Sequence, residues 1–570
     1  MPRTRPLKID LTIRGFRQRL ASIDAVPQFA FLGVIAGIVT GGLILLFRGL
    51  IEWPLILMLG DPEDFEMLGS LSRFTLPVAG AIVLGLILTF SNSSSLRVGV
   101  VHVMERLARF QGHLPWQNMV TQFFCGIIAL ASGQSGGREG PAIHLGAAGS
   151  SLLGQWLKLP NNSIRILVGC GAAAAISASF NTPIAGVIFS MEVIIMEYTI
   201  AGFIPVILAA VSAALIMQIV YGNEAAFNVP ALALSSFYEL PFLILLGILI
   251  GCLAAVFIRM IQLFYRHAPS QIWLRMTFAG VVTGVCAMAV PQILGVGYDT
   301  VNASLLDELP LILLLSICVF KMLSSAVTVG MGMPVGVIGP TLIIGATAGG
   351  SLGYLGYMMF PDHASSPGLY VMLGMGAMMG AALQAPLAAL MAVMELTHNP
   401  NIILPAMLVI ITANMTASQV FGLRSIFHMQ MEMLGLEFRQ NPLSQALNRA
   451  SVASIMSRSF VRVKATLSHD EVAELLNNQP TWLLVHDEDQ GPLFILRAED
   501  LRAYQVDAAS DQAIDLTAIP ATRKDVSPVL LQATLGEALA ILEETGKQAL
   551  YVNRISAPMI DSVVGVLSRE

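Results

Sequence analysis

Arg138 and Glu139 stand side by side within GQSGGREGPAIHLG, residues 133–146, and no other Asp, Glu, Lys or Arg lies between Arg109 and Lys158. Charged groups inside a membrane are costly and usually mark a pathway. The surrounding glycines and Pro141 read as a helix start, because glycine allows close backbone approach and proline suits the first helical turn. A helix start presents unpaired N–H groups and a partial positive charge, so it holds an anion without a basic side chain. GMPVGVIGP, residues 332–340, has the same character in the other half of the chain. Two such starts meeting at one point would replace part of the water shell of a small anion. There Glu139 is a tethered surrogate anion that competes for the same N–H groups, and protonation releases it. A second reading of the residues stays open: Arg138 and Glu139 as a buried pair that caps a helix. Arg138 is expected in a structural role, since a cation in the path would trap an anion.

The elements that hold these residues are apolar. The chain has 570 residues, 55% hydrophobic and 12% charged, and a mean hydropathy of +0.72. Soluble domains carry about 25% charged residues, so this composition points to a polytopic membrane protein. Apolar segments fall near 28–51, 75–90, 118–132, 141–157, 164–196, 202–221, 240–264, 273–293, 309–328, 335–360, 369–396 and 402–421. Several are short or broken by Gly or Pro, which is tolerated at membrane depth only where protein or a water-filled cavity surrounds the break. Six basic residues, from Arg3 to Arg19, precede the first segment, with no short signal peptide evident, and favour a cytoplasmic N-terminus.

The chain also repeats itself. Gly140-Pro141 matches Gly339-Pro340, and Gly146–Gly154 matches Gly345–Gly353. Gly169–Ala172 matches Gly374–Ala377, and Pro183–Glu192 matches Pro386–Glu395. Small-residue helix interfaces explain glycines but not four matches in one order. The spacing does not say whether the halves run parallel or inverted.

From Ser451 to Glu570 the texture changes to strand-like and helix-like stretches in two β/α units, with 10 Lys and Arg against 17 Asp and Glu. This acidic tail reads as a separate soluble unit. The net charge of −6 and the absence of a basic stripe argue against a nucleic-acid partner. The five cysteines are scattered singly and read as small buried hydrophobes, so no metal is expected. Few acidic residues lie in the apolar segments, which disfavours a hard cation such as magnesium as cargo.

GREGP (137–141), GMPVGVIGP (332–340), Asn181-Thr-Pro-Ile-Ala-Gly186 and the double-unit tail together resemble the CLC family of chloride channels and proton/chloride exchangers, with a tail similar to a pair of CBS modules. The resemblance implies an α-helical polytopic membrane protein, a CLC-type inverted repeat with broken helices, plus a small α/β CBS-pair cytoplasmic domain. It implies a homodimer, through the membrane domain and also the CBS pair, in a cell membrane, the inner one in a bacterium, with N-terminus and tail cytoplasmic. The expected division is an N-terminal segment 1–27, a membrane domain 28–430 with halves 28–221 and 240–430, a linker 431–451, and CBS modules 452–505 and 506–570.

Residue by residue, Glu139 matches the family's gating glutamate, while Ile338 and Gly339 match the backbone N–H donors to the central anion. Val98, Gly99, Arg138, Gly140 and Phe427 complete the implied anion-binding set. Val98, in Arg97-Val98-Gly99-Val100-Val101, stands where the family has a serine. Phe427, in Ser425-Ile426-Phe427, stands where it has a tyrosine. Two hydroxyl donors are lost together, each worth about 1.5–3 kcal/mol to an anion, which shifts preference toward larger or less hydrated anions. Val193 occupies the position of the exchangers' inner proton glutamate, as in family channels. The sequence therefore reads as a passive anion channel rather than an enzyme; the alternative is a proton-coupled exchanger using Glu192 or water. Glu192 is also readable as structural, because Glu395 matches it in the other half. Lys321, His102 and Glu105 are expected at helix ends or interfaces. In the tail, Asp500 and Ser568 stand near the positions that hold an adenine nucleotide in such modules. Arg497 replaces the first module's hydroxyl and the chain ends before the second module's Asp, so a structural tail is the favoured reading. No cofactor is required; chloride is the substrate.

Overall fold

The computed structural model describes residues 26–197, 200–222, 227, 232–359, 364–436, 442–487, 491–507, 513–557 and 560–569. The basic segment 1–25 lies outside the described residues. The chain divides into two units, one of Phe29–Leu157 with Ile164–Phe438, the other including Lys158–Ser163 and Arg439–Glu570.

The larger unit is helical. Its first half runs α1 (Val26–Leu59), α2 (Ser70–Phe90), α3 (Gly99–Arg109), α4 (Trp116–Ala131), α5 (Glu139–Trp156), α6 (Asn161–Phe180), α7 (Pro183–Phe189, continuing as a π-turn over Ser190–Ile195) and α8 (Ile200–Tyr221). The second half follows as α9 (Leu240–Arg266), α10 (Ile272–Ala289), α11 (Tyr298–Leu305), α12 (Leu311–Gly330), α13 (Ile338–Met359), α14 (Pro367–Leu383), α15 (Pro386–Thr397) and α16 (Ile403–Met415, with a π-turn over Thr416–Val420); α17 (Ile426–Met433) closes the unit. Long helix matches long and short matches short in one order, so each helix of the first half has a counterpart eight places on. Among the described residues, nine helices are long and apolar enough to cross a membrane.

The segment expected as one run over 164–196 is broken, and so is its counterpart over 369–396. α6 ends at Asn181 (φ 57°) and α14 at Gln384 (φ 53°), both in the left-handed region. Pro183 and Pro386 then start the next helices from a residue whose N–H is not needed. The matched glycines let partners pack backbone to backbone. A Cβ on Gly146 would stand 2.3 Å from the Gly171 carbonyl, and one on Gly345 would stand 2.3 Å from the Gly374 carbonyl.

The hand of the repeat is read at its centre. Gly137 and Gly336 are equivalent positions, and they pair with each other in an antiparallel bridge. Gly137 N–H donates to Gly336 O at 2.8 Å, and Gly336 N–H returns the bond to Gly137 O at 2.7 Å. Equivalent residues exchanging bonds antiparallel to one another are related by a local two-fold axis, the relation that the expected inverted repeat requires.

In the tail, α18 (Pro442–Arg449) occupies part of the expected linker. A six-stranded sheet runs in the order β1-β3-β4-β6-β7-β8, with β1 (Phe460–Lys464), β3 (Trp482–Asp487), β4 (Gly491–Arg497), β6 (Lys524–Leu530), β7 (Ala549–Ala557) and β8 (Ile560–Ser568); β2 (Thr466–Leu467) pairs with β5 (Ile514–Asp515). The β4–β6 pairing, Phe494 opposite Asp525, joins two similar three-stranded parts. The two cores cross the 505/506 boundary expected from the sequence. Ile514, Leu516 and Ile519 pack with Val463, Leu483 and Leu496 of the first part, and Val452 packs with Val529, Leu550 and Val552 of the second. Each β/α unit borrows a flanking segment to finish its apolar core, as a small domain with little interior has to.

Candidate anion site

The site lies where the two broken segments meet. Glu139 is the first residue of α5 and is fully buried. Its carboxylate reaches across to the start of α13, where Gly339 N–H donates to Oε2 at 3.2 Å. The hydroxyl of Tyr298 donates to Oε1 at 2.5 Å. Gly137 leaves room for this pose: a Cβ there would stand 2.0 Å from Oε2. The carboxylate thus sits on the peptide dipoles of the opposite half, the arrangement that stabilises negative charge at a helix N-terminus.

A cavity of about 270 Å³ opens beside it. Val98, Gly99, Gly140, Ile338 and Phe427 all line it, together with His102, Tyr265, Arg275 and the Arg97–Glu105 ion pair. Val98 caps α3 without a side-chain hydrogen bond, and Gly99 takes φ +81°, which favours glycine. Phe427 is buried, its ring edge-on to Phe189 at 6.5 Å. Both positions that lack hydroxyls therefore face the same space, and its wall is apolar there. Beside them, polar groups come from backbone at the starts of α3 and α13, and elsewhere in the lining from side chains such as Arg97, Glu105 and Arg275.

Arg138 does not join this cavity. Its guanidinium donates to Glu52 Oε1 at 3.3 Å and to the Ser179 carbonyl at 3.2 Å. It lines a second cavity of about 400 Å³ with Arg48, Glu52, Glu63, Tyr221 and Tyr298. The Arg138 side chain thus stands apart from the other residues expected to bind the anion and is held by Glu52, a residue of α1 that the sequence does not single out.

Glu192 has a different geometry. Its carboxylate accepts N–H bonds from Leu387 (3.4 Å) and Ala388 (2.8 Å) at the start of α15. Glu395 accepts from Ile184 (3.0 Å) and Ala185 (2.7 Å) at the start of α7. Each half caps the other's short helix. Glu139 is not reciprocated, since its counterpart at the start of α13 is Ile338.

Lys321, expected at a helix end or an interface, lies within α12, fully buried, with Nζ donating to the carbonyls of Ile293 (2.9 Å) and Gly295 (3.0 Å) in the loop before α11. His102 shares a bond of 2.9 Å with buried His144. Tyr298 carried no motif; only its place at the counterpart of Gly99 would have drawn attention. In the tail, Asp500 lies in the first turn of its helix, and Ser568 Oγ accepts from Lys524 Nζ at 3.2 Å.

The model of the voltage gated chloride channel family matches residues 74–418, more than half of the chain. The chain is a member of this family, the CLC family. This CLC protein is 32% identical over 354 residues to a ClcB-like protein of Ralstonia nicotianae named as a chloride channel protein, covering 61% of this chain and 82% of that one. It is 29% identical over 317 residues to the H(+)/Cl(-) exchange transporter ClcA of Vibrio cholerae, covering 54% and 68%. Its fold is shared with a slow cyanobacterial Cl−/H+ antiporter (TM-score 0.62, 21% identity, 73% of this chain and 98% of that chain). A eukaryotic CLC transporter matches over 97% of both chains (TM-score 0.57, 19% identity), tail included. This CLC protein is a multi-pass membrane protein with the helical fold of its family.

Proposed function

We propose that this CLC protein passes chloride or another small inorganic anion through one pathway per subunit of a homodimer, with Glu139 as the movable stopper, and that it works as a passive channel. The observation that carries the gate is the unreciprocated seat of Glu139. Glu192 and Glu395 cap each other's halves and are structural by symmetry. Glu139 places its carboxylate on the start of α13 in the facing half, while its own counterpart there, Ile338, is apolar, so a side chain holds a place that a free anion would take. The names of its relatives support chloride as the cargo. The apolar wall at Val98 and Phe427 supports a preference for weakly hydrated anions, because fewer polar groups there repay dehydration.

Passive flow is favoured by Val193, which carries no proton, and by the N–H bonds that occupy Glu192. A relay through Glu192 would have to give up its grip on Leu387 and Ala388. The second reading, proton-coupled exchange, is supported by a relative named as an H(+)/Cl(-) exchange transporter. In the tail, the Lys524 bond to Ser568 supports a structural role over nucleotide sensing, and the basic N-terminal residues support cytoplasmic termini.

Reversal potentials of the reconstituted protein under crossed chloride and pH gradients are the test. A channel follows the chloride gradient alone, whereas a fixed proton contribution sinks the passive reading. Glu139→Gln is expected to leave anion flux present and flatten its dependence on pH.

A further inference from the structure

Two cavities flank Glu139, and they share no lining residue. The start of α3, at Val98 and Gly99, walls one of them. The start of α11, at Tyr298, walls the other, and the inverted repeat makes these two starts equivalent. Glu139 lines neither cavity. It is bracketed by Gly140 and Ile338 on one side and by Arg138 and Tyr298 on the other.

We infer that Tyr298 is a positioning residue: its hydroxyl latches the Glu139 carboxylate in its seat, and its ring closes the pathway toward the 400 Å³ cavity. This rests on the reading of Glu139 as the gate. The phenol is braced on every side. Its ring lies 5.9 Å from Phe180 and edge-on to Phe227 at 5.6 Å, and the Arg138 guanidinium stands 5.1 Å above it. Its backbone is pinned by Glu63, which accepts from Tyr298 N–H at 2.9 Å and Asp299 N–H at 3.2 Å. The loop before it is held by Lys321 on the carbonyls of Ile293 and Gly295. A donor fixed in this way rewards the carboxylate only when it is seated, since the tyrosine has no slack to follow it.

The charges that face this pair are Arg138 beside Glu139, Lys321 from α12, Glu52 from α1, Glu63 from the α1–α2 connection and Asp299 from α11. On α5 itself the next titratable group is His144, held by His102. Among the described residues, the hydrogen bonds to the Glu139 carboxylate come from Tyr298 and Gly339. The phenol is therefore the side-chain donor whose removal changes how readily the seated carboxylate takes up a proton. Losing a donor to the charged form favours protonation, so release comes at higher pH.

The experiment measures chloride flux against pH in liposomes for wild type, Tyr298→Phe, Glu139→Gln and the double variant. In Tyr298→Phe the pH of half-maximal flux rises by about one unit, the scale of one hydrogen bond to a charged group. On the Glu139→Gln background the same substitution moves nothing. An unchanged midpoint in folded Tyr298→Phe, with the Glu139→Gln profile flat, overturns the latch and spares the gate. A Glu139→Gln profile that keeps its pH dependence overturns the gate itself. Incorporating 3-fluorotyrosine at 298 keeps the ring and makes the hydroxyl a stronger donor, so it serves even where the Phe variant does not fold. The midpoint then falls, and a midpoint that stays put or rises refutes the latch.

Discussion

Gly140→Ala tests how closely the two helix starts have to approach. A Cβ on Gly140 would stand 2.6 Å from the Gly336 Cα and 3.2 Å from its N. Both are backbone atoms, so neither can swing aside as a side chain would. Reaching ordinary van der Waals separation requires the starts to part by roughly 1 Å, and overpacking of this kind costs about 1–3 kcal/mol. The paired bonds between Gly137 and Gly336, 2.8 and 2.7 Å long, and the 3.2 Å bond from Gly339 to Glu139 do not survive that displacement as good hydrogen bonds. If two backbone donors to a bound anion are misaimed at about 1.5 kcal/mol each, halide affinity falls on the order of a hundredfold. Calorimetric halide titration of the purified protein reads this directly, with liposome flux beside it and thermal unfolding in detergent to confirm the fold. Gly42→Ala is the control, because a Cβ there meets nothing within 4 Å, and it is expected to behave as wild type. A folded Gly140→Ala protein that binds and conducts like wild type would show that the junction of the two starts is not where the anion sits.

Restoring the missing hydroxyls should act in the opposite direction: Val98→Ser with Phe427→Tyr is expected to tighten chloride on the order of a hundredfold and move selectivity toward it, measured by bi-ionic potentials; unchanged selectivity would mean that this cavity does not bind the ion. Glu192→Gln and Glu395→Gln should destabilise the protein by similar amounts, about 0.5–2 kcal/mol each, because they cap equivalent helices; a large loss of transport from Glu192→Gln alone, at wild-type thermal stability, would instead give Glu192 a part in conduction.

Much of this was legible in the sequence because the site is built from backbone. Glycine and proline mark where helices break, and Gly140-Pro141 and Gly339-Pro340 do so in register, so the two starts and their repeat were readable without any contact. What escaped were partners supplied by ordinary residues at distant positions. Tyr298 is a lone tyrosine in GVGYDT, and nothing local says that its hydroxyl meets a carboxylate 159 positions away. Glu52 looked like the end of the first apolar segment, yet α1 runs on to Leu59 and holds the glutamate against Arg138. Lys321 read as a helix-end or interface residue, and nothing local says that it ties down two loop carbonyls. The inverted sense of the repeat came from the family resemblance rather than from the matching strings, which carry order but not direction. In the tail, the strand pattern was plain, but the exchange of flanking segments between its two cores depends on contacts that periodicity does not encode.

The mutual capping by Glu192 and Glu395 also speaks to how such a chain came to be. A protein of half this length would expose a bare helix start on one flank and offer an unused carboxylate on the other. Both needs are met at once by a second copy turned upside down in the same bilayer. Either half by itself would lack the cap that the other now supplies. In the joined chain the two halves are free to differ, and they do: one carries Glu139 and the other Tyr298, and the two side chains meet.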